Sequence, residues 1–172
     1  MIYFTSDLHF GHRAILNLAD RPFGDVGEMN QCLIDSFNAR VRPGDTTYFL
    51  GDLVHRIPVE SANALISKLN GSKVLIRGNH DKGYDPGLFT EICDFKQIYF
   101  EGTRFVLMHY PLLEWPGYYR GAVHCHGHQH NTASYNIAQR EADLLRYDVG
   151  VDANGYAPVS AVDVLRFFGL GK

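Results

Sequence analysis

The sequence predicts a single α/β domain, residues 1–172, with strands and helices layered as a mixed sandwich. Three observations carry that reading. Short β-favouring runs alternate with stretches of helical spacing in the first half, the second half turns β-rich with a hairpin signature, and no repeat, low-complexity tract or Pro/Gly/Ser-rich linker divides the chain. At 172 residues, 45% of them hydrophobic and 20% charged, the chain is long and apolar enough to close one core.

Taken in order, Ile2–Thr5, Thr47–Leu50 and Lys73–Ile76 are the first three strands. Between the first two, Met29, Leu33, Ile34, Phe37 and Val41 recur at helical spacing. Ala62, Leu65, Ile66 and Leu69 do so again, with Pro58 suited to a first helical turn and Asn70-Gly71 as the stop. Gln97–Phe100 and Arg104–Met108 flank Glu101-Gly102-Thr103 as a hairpin. Ala122–Cys125, Ser134–Ala138 and Leu144–Val149 are further strand candidates, and Ser160–Phe168 is a closing helix with Val162, Leu165 and Phe167 or Phe168 turned inward.

Composition narrows the function classes. A net charge of -3 gives no basic footprint for long-range attraction to nucleic acid. The three cysteines, Cys32, Cys93 and Cys125, are far apart, which points away from a disulfide framework and towards a reducing, cytoplasmic setting. Asp7 and His9 interrupt the apolar start, so no secretory signal is expected, and no apolar run nears the ~20 residues of a spanning helix. Phosphate-loop, Gly-x-Ser-x-Gly and His-Glu-x-x-His motifs are absent, which argues against nucleotide-driven motors, serine hydrolases and zincins.

The chemistry gathers just past strand ends. The first strand runs into Asp7-Leu8-His9, the second into Gly51-Asp52 and the third into Gly78-Asn79-His80-Asp81. Arg104–Met108 runs into His109, and the following strand into Gly127-His128-Gln129-His130. In open α/β sheets the carboxyl ends of strands share one edge, where ligands bind, so these five endings can converge. The donors are nitrogen and oxygen with no thiolate, and they are too many for one closed tetrahedral zinc.

The ordered series Asp7-x-His9, Gly51-Asp52, Gly78-Asn79-His80-Asp81, His109, Gly127-His128-x-His130 resembles the calcineurin-like metallophosphoesterase superfamily, across residues 7 to 130. The resemblance implies a four-layer α-β-β-α sandwich without a large cap. It implies two divalent metals (Mn, Fe, Zn, Ni or Co), one held by Asp7, His9 and His130, the other by Asn79, His109 and His128, with Asp52 bridging. It further implies direct attack of a metal-bridging hydroxide on phosphorus, with His80 stabilising phosphoryl charge or protonating the leaving oxygen. Asp81 is expected to orient the His80 ring.

Substrates within that reading are phosphomonoesters or phosphodiesters, nucleotides or nucleic-acid ends included. The rival from another class is a protein-binding scaffold on the same fold, against which the presence of His80 argues. Among residues outside the motifs, His12 either faces the phosphoester or caps the first helix, and Arg21 is a candidate phosphate grip. His55 is taken as a solvated loop residue, and His124 and His126 share one strand face as packed or supporting residues. The aromatic loop Trp115–Tyr119 is read as packing over the sheet.

Overall fold

Alternation within the strands builds the architecture. In β1 (Ile2–Thr5), β2 (Thr46–Phe49) and β3 (Ser72–Ile76), successive side chains point to opposite faces, and both faces are apolar. Phe49 and Leu75 face one way, against α2 (Val26–Arg40) and α3 (Val59–Ile66), where Phe37 stacks on Phe49 at 5.5 Å between ring centroids. Phe4, Val74 and Ile76 face the other way, onto a second sheet. The structure, a computed structural model, describes residues 1–171.

The first sheet has five strands in the order β4-β3-β2-β1-β9, completed by β4 (Glu91–Cys93) and β9 (Val159–Ser160). Its strands are parallel except for β9, which pairs antiparallel with β1. The second sheet, in the order β5-β6-β7-β8, contains β5 (Lys96–Phe100), β6 (Thr103–Leu107), β7 (Val123–His126) and β8 (Arg146–Asp148). The β5–β6 hairpin closes on Glu101 (φ 48) and Gly102 (φ 80), both left-handed, which matches the twist of a two-residue turn. Phe105, Leu107, Val123 and Cys125 meet Phe4, Val74 and Ile76 in the inter-sheet core. The outer face of the second sheet is covered by α4 (Ala133–Glu141) and by Trp115, which packs on Val106 and Ala122. This is the four-layer sandwich expected, and no large cap stands over it among the described residues.

Several elements differ from expectation. Ser134–Ala138 lies within the helix α4 and is not a strand, because Ala138 and helix-forming Gln139, Arg140 and Glu141 outweigh the β preference of Tyr135 and Ile137. Its one buried residue, Asn136, exchanges hydrogen bonds with the backbone of Asp148 in β8 (2.8 and 3.0 Å), a polar dock invisible to hydrophobic periodicity. In the closing helix α5 (Ala161–Phe167), Ser160 is the N-cap, so Ala161, Val164 and Leu165 turn inward and Val162 does not. Pro58 is the N-cap residue of α3, not part of its first turn. The strands β4 and β9 and a four-residue helix α1 (Ile15–Leu18) are too short to leave a periodic signal.

On the outer face of β7, His124 is buried with its Nδ1 3.0 Å from the Val106 carbonyl, while its Nε2 accepts from Leu112 N–H at 3.0 Å. Both neighbours fix a neutral ring, and burial pushes the group down to about 4 from 6.5. A base depressed in the folded state contributes stability above its unfolded value and loses it as pH falls toward the folded value. Unfolding free energy should therefore drop by about 2 kcal/mol between pH 7.5 and pH 5 through this residue. Urea midpoints of the wild type and of non-titrating His124→Gln will check this, the variant showing the shallower pH slope.

Candidate metal centre

The loops after β1 and β2 leave the sheet side by side, continuing its ladder beyond the strands. Asp7 N–H donates to Gly51 O (3.0 Å), His9 N–H to Asp52 O (3.0 Å) and Phe10 N–H to Leu53 O (2.9 Å). From the other sheet, the loops after β6 and β7 are tied together by Gly127 N–H to His109 O (2.9 Å). Two bonds then cross the sheets. His128 N–H donates to Asp7 Oδ2 at 2.9 Å, and His109 Nδ1 lies 2.7 Å from Leu50 O.

The result is a cleft of about 350 Å³, walled by His9, Asp52, Asn79, His80, His128 and His130, with Ile15, Leu18 and Ala19 of the α1 segment on an apolar side. Asp52 is the hub. Its Oδ2 lies 3.7 Å from His9 Nε2, 3.6 Å from His109 Nε2 and 3.9 Å from His80 Nε2. Asp7 Oδ1 lies 3.9 Å from both His9 Nε2 and His130 Nε2. On the far side of the hub, His109 Nε2 is 3.0 Å from Asn79 Oδ1 and 3.2 Å from His128 Nδ1. The structure thus brings Asp7, His9, Asp52, Asn79, His80, His109, His128 and His130 to one place.

These distances suit cations. Donors each ~2.1 Å from one ion stand at most ~4.2 Å apart. Asp7, His9 and His130 form one group of mutually close donors, and Asp7, Asp52 and His109 another. Asp7 Oδ1 and both ring nitrogens of His9 are buried with no hydrogen-bond partner, an arrangement costly unless a ligand satisfies it. With Nδ1–H of His109 donated to Leu50 O, its Nε2 presents a lone pair to Asn79 Oδ1, so acceptor faces acceptor. Burial pushes Asp7 up to about 7 and His9 down to about 2, because desolvation penalises the charged form of each. The donor set therefore fits divalent metal.

Backbone strain marks the same residues. Asp7 (φ 57), His9 (φ 51), Asp52 (φ 55), His128 (φ 74) and His130 (φ 50) are all left-handed. Gly127 stands where any Cβ would collide with the Asp7 carboxylate and the Ser6 hydroxyl, which lets β7 pass close beneath the site.

Two supporting residues, Asp81 and Arg21, behave differently from expectation, and for His12 one of its two readings holds. Asp81 does not orient the His80 ring, because its carboxylate accepts from Asp52 N–H (2.8 Å), Leu53 N–H (3.0 Å), Gly78 N–H (2.8 Å) and Tyr84 O–H (2.8 Å). It fixes the backbone of the hub instead. Arg21 does not reach into the cleft as a phosphate grip. It is buried, donating to the carbonyls of Asp7 (2.7 Å) and Leu8 (3.0 Å) and pairing with Asp152 (2.8 and 2.9 Å). His12 does not cap α1, whose N-cap is Ala14; its ring faces the cleft, stacked on His55 at 3.9 Å.

Sequence reasoning misplaced one residue, His55, and passed over another, Asp152. His55 is only 9% exposed and lies edge-on to His80 at 4.3 Å, so it is not a solvated loop residue. Asp152 lies 2.8 Å from His130 Nδ1, which turns His130 Nε2 toward Asp7. Burial would lower His130, but the Asp152 hydrogen bond and the Asp7 charge outweigh it and raise the ring above its ordinary value. Gly150-Val151-Asp152 follows β8 just as the other polar endings follow their strands, and that was the signal available. Tyr110 lies against His128 at 4.6 Å, while Trp115 packs in the outer layer as expected.

Fold and donor set together define an α/β protein built to hold divalent metal. The chain matches the model of the calcineurin-like phosphoesterase family over residues 1–153, and it belongs to that family. Uncharacterized protein MJ1445 of Methanocaldococcus jannaschii is 36% identical over 173 residues, spanning 99% of this chain and 93% of its own. The gene 66 protein of Mycobacterium phage L5 is 40% identical over 84 residues, 46% of this chain and 39% of the phage protein. The crystal structure of the protein of unknown function AQ665 from Aquifex aeolicus superposes with a TM-score of 0.73 at 29% identity, covering 93% of this chain and 95% of that one.

Two outcomes follow from this geometry. Gly127→Ala should weaken divalent-metal binding by about 10–100-fold, as loss of supporting contacts does; isothermal titration with Mn²⁺ measures it, and unchanged affinity would contradict the close approach. Asp152→Ala leaves the buried Arg21 charge unpaired and should lower unfolding free energy by about 3–5 kcal/mol, read as a shift in urea midpoint.

Proposed function

We propose that this chain is a phosphoester hydrolase working with two divalent metal ions. The observation that supports this reading most is Asp52 Oδ2, set 3.7 Å from His9 Nε2 on one side and 3.6 Å from His109 Nε2 on the other. A carboxylate so placed could be shared between two ions. Asp7, His9 and His130 would hold the first, Asn79, His109 and His128 the second. When bound, such ions offset phosphoryl charge and bring the pKa of a water down to ~7, which provides a nucleophile near neutrality. Mn, Fe, Zn, Ni and Co all suit this mixture of imidazole, carboxylate and amide.

The chain's own residues divide the remaining work. The two ligand carboxylates cancel half of the charge on two divalent ions, leaving a positive surface for an anionic ester. His80 stands at the mouth with its side chain 39% exposed, held by its own N–H to Asp52 Oδ1 at 2.9 Å. It can reach a phosphoryl group lying over the hub, stabilising its negative charge or giving a proton to the departing oxygen. Asp81 and Arg21 keep the backbone of Asp52 and Asp7 in position, and Asp152 keeps the His130 ring aimed. The leaving group would rest on Ile15, Leu18 and Ala19, and an open, apolar wall suits varied alcohols, nucleosides among them. Monoesters and diesters both fit so uncovered a cleft.

Mn²⁺-loaded protein should hydrolyse an aryl phosphate or an aryl phosphodiester and lose that activity on chelation. Absence of turnover on both, with every divalent metal, would overturn the reading. His80→Ala should retain its metal content while kcat falls by about 10²–10⁴-fold, the usual size of a general-acid contribution. Full activity in that variant removes His80 from the chemistry.

A further inference from the structure

Beside the Asp52 hub lie two imidazoles, His12 and His55, that the proposed hydrolysis does not use, and they gather against His9, which it does. His12 and His55 stack at 3.9 Å between ring centroids and 28° between planes, and the His9 ring stands 5.3 Å from His12 and 5.9 Å from His55. One donor nitrogen from each of the three lies within 4.8 Å of the other two. The Nδ1 atoms of His9, His12 and His55 are all buried without a hydrogen-bond partner.

The backbone holds this arrangement rigidly. Phe10 and Val54 form an isolated parallel bridge, His55 N–H donates to Phe10 O at 3.2 Å, and His12 N–H donates to His9 O at 3.0 Å. Gly11 (φ 78) makes the turn between His9 and His12, and its N–H is fixed by Asn30 Oδ1 at 3.1 Å. Three unpaired imidazole nitrogens on two tethered loops are poorly explained by packing alone, since stacking needs no convergence of their donor atoms. With one nitrogen of each ring within 4.8 Å of the others, a small inward movement of the side chains lets one cation bridge the three rings.

We propose that His9, His12 and His55 form an additional divalent-cation site, adjoining the Asp52-centred pair through a shared His9 and selective for ions such as Zn²⁺ that prefer imidazole. The donor set gives the selectivity. Three nitrogens without a carboxylate suit Zn²⁺, Ni²⁺ or Cu²⁺ and disfavour Mn²⁺, which prefers oxygen. His9 is shared. Its Nε2 faces Asp7 and Asp52, and its unpartnered Nδ1 is left for the additional ion. Filling both sides of that ring releases its remaining N–H proton to solvent. His55 touches His80 edge-on at 4.3 Å, so an ion here also bears on the mouth of the cleft. Excess Zn²⁺ is therefore expected to slow the enzyme, while excess Mn²⁺ is not.

Metal stoichiometry tests the site independently of hydrolysis. Full-length protein is dialysed to saturation against Zn²⁺ or Mn²⁺, and bound metal per chain is measured by plasma mass spectrometry. The wild type should bind one more equivalent of Zn²⁺ than of Mn²⁺. The double variant His12→Ala/His55→Ala should lose that extra Zn²⁺ and keep its full Mn²⁺ complement, which also reports that the Asp52 centre has folded. Wild-type protein binding no more Zn²⁺ than Mn²⁺ overturns the proposal without any variant, and so does a double variant that retains the extra equivalent. If both metals bind to the same extent and turnover persists, the additional site falls while the phosphoesterase reading stands. Chains that bind neither metal sink both.

Discussion

Two carboxylates, Asp7 and Asp52, are held almost without solvent at the seam between the sheets, and the architecture is organised around keeping them there. A carboxylate removed from water needs hydrogen bonds, a positive partner or a proton. The backbone provides part of this, through His128 N–H to Asp7 and His80 N–H to Asp52. His9, which faces both carboxylates, brings no charge to them, because burial holds its ring neutral. Acceptors facing acceptors across less than 4 Å is a configuration that a divalent cation completes.

Reaching that configuration requires backbone that ordinary residues avoid. The left-handed values at Asp7, His9, Asp52, His128 and His130 each cost of the order of 1–3 kcal/mol and persist only where their surroundings over-determine them. The over-determination is visible. Asp81 ties the N–H groups of Asp52, Leu53 and Gly78 with one carboxylate, while Arg21 ties the carbonyls of Asp7 and Leu8 with one guanidinium. Both side chains are buried beneath the cleft, where they stiffen the loops that carry the donors. These two charges thus act on the geometry of the loops more than on whatever enters the cleft.

The two sheets contribute unequally. The helix-covered first sheet supplies Asp7, His9, Asp52, Asn79 and His80 from three neighbouring parallel strands, and the thinner-covered second sheet supplies His109, His128 and His130. Each half alone carries an incomplete donor set, so the inter-sheet core of Phe4, Ile76, Phe105 and Leu107 is also what completes the centre. At Gly127, where β7 passes under Asp7, the two sheets come so close that a Cβ would collide with the Ser6 hydroxyl and the Asp7 carboxylate.

How much of this could be read in the sequence follows from the range of each interaction. Strand runs ending in Asp, Asn and His, with their order along the chain, are local facts; they carry the sandwich expectation and name the eight residues that the structure brings to one place. The helix at Ala133–Glu141 was missed because its docking residue is polar, and hydrophobic period carries no record of Asn136 gripping β8. Arg21 with Asp152, 131 residues apart, and Asp52 with Asp81 are partnerships set by loop geometry, and nothing in either local stretch names the other. The sequence by itself determined which donors are present and that strand ends carry them. Only the tertiary structure decided which charges face the cleft and which brace it from below, because side-chain direction at a loop depends on what packs against it.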